Sequence, residues 1–145
     1  MIGQCITQVC RVMGASKVIV SEPFGIRRAT VSKLGADMAL NPREITPIEA
    51  VTEATSGKMA NVVFECSWSS LPFYQALQVT CVLGKIMQVA IFEKKLELSP
   101  DVMNLTAVRN LTLAGLCWFE VGHGDGTCAD RQGENERPDN TRIIS

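Results

Sequence analysis

The chain has 145 residues, 46% of them hydrophobic and 20% charged, enough for one globular core and too few for a second domain of ordinary size. Its formal net charge of -1 and its scattered Lys and Arg exclude the basic stripe that neutralises phosphates, so no nucleic-acid partner is expected. No apolar run approaches the ~18 to 20 residues of a bilayer span, and no basic segment with a small-residue cleavage site opens the chain, so the expectation is a cytoplasmic protein with no membrane partner.

Residues 2–13 place Ile2, Cys5, Ile6, Val9, Cys10 and Met13 at the i, i+3, i+4 spacing of an amphipathic helix, and Gly14 ends it. Residues 17–20 read as a short buried strand before the Ser21-Glu22-Pro23 turn cluster. A helix over residues 26–34 follows, with Ile26, Ala29 and Leu34 expected inward and Gly35 at the stop, then a weaker strand at 38–40. Thr46-Pro47-Ile48-Glu49 has the form of a capping box with proline at the first helical position. The helix it opens should run to Ser56 and stop at Gly57. Val62, Val63 and Phe64 within 61–66 predict a strand buried on both faces. Ser70 is the expected cap of the next helix, whose face would be Phe73, Ala76, Leu77, Thr80 and Cys81, with Gly84 as its stop. Residues 85–91 predict a strand, Ser99-Pro100 a helix to about Leu105, and 110–114 a last strand before Gly115.

Strands and helices alternating at this spacing predict the α/β class, helices on both faces of a parallel sheet, because each parallel connection needs a crossover. From Glu120 onward the chain holds Gly122, Gly124, Gly126 and Gly133 and nine charged residues. Such a stretch cannot offset its ordering entropy and predicts a disordered tail over 120–145. The six cysteines, Cys5, Cys10, Cys66, Cys81, Cys117 and Cys128, form no Cys-x-x-Cys pair, and their mostly apolar settings read as reduced core thiols. His123 is the only histidine. A three-ligand zinc site would then need distant cysteines to converge, so no metal ligand and no catalytic residue is assigned.

A dinucleotide-binding fold opens on a strand, a G-x-G-x-x-G turn, a helix, a second strand and an acid about 20 residues beyond the turn. Gly3 and Glu22 lie 19 positions apart, the separation expected between the last motif glycine and that acid. On spacing alone, a flexible Gly3 near the terminus and a solvated Glu22 in a turn account for the pattern equally well.

Longer runs carry a resemblance. Ile2-Gly3, Gly14 to Glu22, Arg27, Lys33-Leu34-Gly35-Ala36-Asp37 and Asn41-Pro42 resemble the cofactor domain of the medium-chain, zinc-type alcohol and polyol dehydrogenases. Thr55-Ser56-Gly57, Val62 to Ser67 and Asn110 to Gly115 continue the likeness in order. The resemblance covers residues 2–119, and residues 1–119 are taken as a partial dinucleotide-binding (Rossmann-like) domain. It implies an oxidoreductase moving a hydride between NAD and an alcohol or polyol. It also implies that Gly3 belongs to the pyrophosphate turn and that Glu22 accepts from the adenosine ribose hydroxyls. Arg27 would stand beside that ribose, Cys66 and Ser67 would border the adenine side, and Val89 and Ala90 the nicotinamide. Cys66, Val89 and Ala90 would equally be buried in any sheet, and Arg27 would serve as a solvated helix charge.

Three departures from the family stand out. Its first strand and first two motif glycines would precede Ile2, as would the catalytic domain with its zinc ligands, so zinc is expected only in that domain. Trp68 stands where the family usually has a small glycine. The residues after Phe119 do not resemble the family's closing strand and helix. The alternative is a non-catalytic binding or dimerisation module, which allows a homo-oligomer; a methyltransferase ranks below both for want of a Gly-rich turn before the first helix.

Overall fold

The computed structural model describes residues 2–91 and 99–115. Its elements alternate as α1 (Ile2–Val12), β1 (Ile19–Ser21), α2 (Gly25–Lys33), β2 (Met38–Leu40), α3 (Pro47–Ala54), β3 (Ala60–Glu65), α4 (Ser70–Val79), β4 (Thr80–Gln88), α5 (Pro100–Val108) and β5 (Thr112–Gly115). The strands form two parallel sheets, β1 with β2, and β3-β4-β5 in that order. In a doubly wound sheet of order 3-2-1-4-5-6 these are the second to sixth strands, and the unpaired edges of β1 and β3 are those a first strand would join. The expected tail over 120–145 lies outside the described residues.

The core lies between α4 and β4. Phe73, Ala76 and Leu77 of α4 pack on Ile86 of β4, with Val63, Val102 and Leu111 around them. The α4 residues share one helix face by their i, i+3, i+4 spacing. Thr46 caps α3 by accepting the Glu49 N–H, with Pro47 at the first helical position, as the capping box requires. Gly14, Gly35 and Gly57 all adopt positive φ at or just beyond helix ends, the conformation in which a Cβ is penalised.

Several expectations are corrected. Helix α4 ends at Val79, and Thr80 is already extended, so Gly84 is no helix stop. The register jumps from Ala60↔Thr80 to Val62↔Lys85, which loops residues 81–84 out of the ladder. A Cβ on Gly84 would lie 2.8 Å from the Cys81 carbonyl oxygen and closer still to the Thr80 methyl, so glycine is required there by close approach. Arg109 holds this corner: its guanidinium donates to the carbonyls of Gln78 (2.8 Å) and Thr80 (3.0 Å), and its own carbonyl accepts the Leu83 N–H. Ser70 is the first helical residue and Ser69 the cap, without a side-chain capping bond. Helix α5 runs to Val108, and Asn110, at φ +50°, turns the chain into β5.

The inward faces of α1 and α2 also differ from expectation. In α2, Ile26 is 87% exposed and Ala29 is exposed, while Val31 is buried. The helix is phased by Arg28, which donates to the carbonyls of Glu22 and Pro23. In α1, Thr7 is buried and Ile2 and Val9 are exposed, as is Met13 just past its end, because no strand among the described residues covers that apolar stripe. For the same reason β3 is not buried on both faces: Val62 and Val63 are half-buried and Phe64 is exposed. Of the four cysteines within the described residues, Cys5 is exposed and Cys10, Cys66 and Cys81 are half-buried, all as free thiols, so none is the fully buried core residue expected.

Candidate functional site

Ligands of parallel α/β sheets bind beyond the carboxyl ends of the strands. Of the seven cofactor-binding candidates, Glu22 lies beyond that end of β1, Cys66 and Ser67 beyond that of β3, and Val89 and Ala90 beyond that of β4. The contacts gather these residues into two groups. No hydrogen bond or ion pair among the described residues joins one group to the other.

The first group is built on Glu22. Its backbone N–H extends the β1–β2 pairing by donating to the Leu40 carbonyl at 3.0 Å, which holds the residue at the sheet end. One carboxylate oxygen, Oε1, accepts the Phe24 N–H at 2.9 Å. The other, Oε2, faces the Arg27 guanidinium at the longer distance of 3.8 Å. Arg27 in turn lies over the Phe24 ring, 4.9 Å from its centroid, a cation–π arrangement. Glu22 therefore keeps acceptor capacity on Oε2, as recognition of a pair of hydroxyl donors requires. That residue set fits the ribose of a dinucleotide.

Gly3 stands apart. It lies in the first turn of α1, its carbonyl accepting the Thr7 hydroxyl at 2.8 Å, with open space where a Cβ would be. Helix first turns present N–H groups without intrahelical partners, which suits an anion. Nothing in the packing around Gly3 itself demands glycine.

The second group is organised by a residue that sequence reasoning passed over. Glu65, the last residue of β3, is 3% exposed. Its Oε1 accepts the Ser67 N–H at 2.8 Å and the Ser67 hydroxyl, and its Oε2 accepts the Gln88 side-chain amide at 3.1 Å. Its backbone carbonyl accepts the N–H groups of Val89 (2.9 Å) and Ala90 (3.1 Å). The signal was present: a glutamate closing the apolar run Val62-Val63-Phe64 must find partners if that run is packed inside. Burial, reinforced by the Glu65 charge next door, pushes the Cys66 thiol up to about 11, so Cys66 is a neutral side chain at physiological pH and not a nucleophile.

Zinc does not fit what is described. Among the described residues no three His, Cys, Asp or Glu side chains are grouped to hold a metal ion. No helix among them is long and apolar enough to cross a membrane.

Comparison with known proteins places this geometry in a family. The family described as zinc-binding dehydrogenase matches residues 2–129. An L-threonine 3-dehydrogenase of Pyrococcus furiosus is 33% identical over 108 residues, 74% of this chain and 30% of the relative. A 2R,3R-butanediol dehydrogenase structure from Bacillus subtilis superposes with a TM-score of 0.73 at 26% identity, covering 80% of this chain and 32% of that one. A zinc-binding dehydrogenase structure from Sinorhizobium meliloti, bound to NADP, shares the fold with a TM-score of 0.69 at 23% identity, over 79% of this chain and 34% of that one. The chain belongs to the zinc-binding dehydrogenase family, and it spans about a third of the length of the relatives it matches.

Proposed function

We propose that this chain is the dinucleotide-binding portion of an oxidoreductase that transfers a hydride between NAD and an alcohol or polyol. The observation that carries the reading is the Glu22 carboxylate at the sheet end, with Oε1 committed to Phe24 and Oε2 held only by a 3.8 Å ion pair. The chain's part is to bind and orient: Glu22 receives the adenosine ribose hydroxyls, Arg27 flanks them, and the first turn of α1 at Gly3 faces the pyrophosphate. Cys66 and Ser67 border the adenine, and Val89 and Ala90 the nicotinamide. The nicotinamide ring, when bound, supplies the hydride acceptor. The dehydrogenase names of the relatives support the reaction class.

The same carboxylate supports NAD over NADP. A 2'-phosphate would set roughly two negative charges against Glu22, and each unit of repulsion at ~4 Å and an effective dielectric of ~20 is about 4 kcal/mol before solvent and salt reduce it. A third of that discriminates about tenfold. Arg27, engaged with both Glu22 and Phe24, would have to leave these partners to soften the penalty. Titrating the 145-residue chain with NADH and NADPH should show NADH bound about tenfold more tightly, the ratio collapsing in Glu22→Ser. Equal affinities in the wild type would overturn the assignment.

A further inference from the structure

Glu65 is the only charged side chain buried among the described residues, and it has no ion-pair partner among them. A carboxylate withdrawn from water is tolerated when donors surround it, and here the donors are Ser67, in the turn after β3, and Gln88, the last residue of β4. The β3–β4 ladder ends at the pair Glu65↔Gln88. Beyond that pair the Glu65 backbone carbonyl still accepts the Val89 and Ala90 N–H groups, and the side chains add a second connection: Ser67 on one carboxylate oxygen, Gln88 on the other. The Gln88 amide nitrogen also donates to the Ala90 carbonyl at 2.6 Å. This double donation fixes the amide's orientation, since a flipped amide would set its oxygen against two acceptors. It leaves the Gln88 Oε1 buried with no donor among the described residues.

We infer that Glu65 is a positioning residue that locks the Cys66-Ser67 turn against the Val89-Ala90 turn, so that the two form one ledge for a ligand spanning both. As a cofactor ledge the inference rests on the reading above; as a coupling between turns it stands on these contacts alone. Glu65→Gln keeps the shape but converts one acceptor into a donor, which then meets either the Ser67 N–H or the Gln88 amide, donor against donor. A ligand touching both turns should lose more than a ligand touching one.

The test titrates NADH and AMP against the 145-residue chain and its Glu65→Gln and Gln88→Leu variants, with circular dichroism confirming the fold of each. NADH binding should weaken about tenfold in Glu65→Gln while AMP binding changes less than about threefold. Gln88→Leu, which breaks one arm, should shift NADH in the same direction. Unchanged NADH affinity in both folded variants would overturn the inference. Should the wild type bind neither nucleotide, the cofactor reading fails and the coupling is decided by amide resonances. Gln88→Leu must then move the Ser67 N–H and Ser67→Ala must move the Ala90 N–H; shifts confined to each substituted turn would overturn it. These two variants also serve if Glu65→Gln does not fold.

Discussion

Trp68 holds its backbone at φ +67°, in the region where a Cβ costs roughly 1–2 kcal/mol. The position resembles one where the family usually carries glycine, and the backbone keeps the glycine conformation although the residue is tryptophan. Trp68→Ala and Trp68→Gly both lose the indole and differ in that strain and in the freedom of the unfolded chain. The glycine variant should therefore be more stable than the alanine variant by about 0.5–1 kcal/mol, after allowing for glycine's larger unfolded-state entropy. Urea denaturation midpoints of the two variants check this, and an alanine variant equal or superior to the glycine one would contradict it. The same scale shows where sequence reading succeeds and stops. Glycines at helix ends are legible because their φ is a local matter, whereas the role of Glu65 depends on Gln88, 23 positions away, which no local pattern encodes.

Among elements, α1 is tied to the α2–β2 turn by a small polar clasp. Arg11 donates to the Gly35 carbonyl and pairs with Asp37, whose second oxygen accepts the Val18 N–H at 2.7 Å. The Val18 N–H, and after it the Arg11 hydrogen bond, hold the Asp37 carboxyl below its ordinary 3.8. A depressed carboxylate contributes stability that is complete above the unfolded value and disappears as the pH falls through the folded one. Wild type should thus be more stable than Asp37→Asn near neutrality, with the two denaturation midpoints converging below pH 3.8. A constant offset down to the acid limit would remove Asp37 as its source. Element type was legible along most of the chain, because periods of 3.6 and 2 report directly on helix and strand. The α4–β4 boundary was not: the face through Thr80 and Cys81 continues the helical period, and the early stop is stabilised from a distance, by the pairing of Thr80 with Ala60 and by the Arg109 guanidinium from a later helix end.

At the scale of the whole molecule, the parallel order was legible in the alternation of elements, while the exposed faces were not. Periodicity marks which residues are apolar and says nothing of whether a neighbour covers them. The described residues form two sheets rather than one, and β1 and β3 each keep an unpaired edge. Ile2 and Val9 of α1 are exposed, as are Val82 and Leu83 of β4 and Leu113 of β5. Unpaired strand edges and uncovered apolar side chains recruit further chain. The chain is expected to self-associate at micromolar concentration, and light scattering of fresh protein across a dilution series would show it. A dispersed monomer throughout would mean that these edges are closed in solution.

The corner between α4 and β4 carries a consequence for how the chain comes together. The carbonyls of Leu77, Gln78 and Thr80 and the N–H of Leu83 are met by Arg109, about thirty positions downstream. During synthesis those groups lack their Arg109 partner until α5 has emerged and folded back, so the corner that opens the central strand cannot complete its hydrogen bonds when β4 first pairs with β3. Closure of a loop of that length must come before the contact rewards it. The central strand, though made before its outer neighbour, is completed together with it.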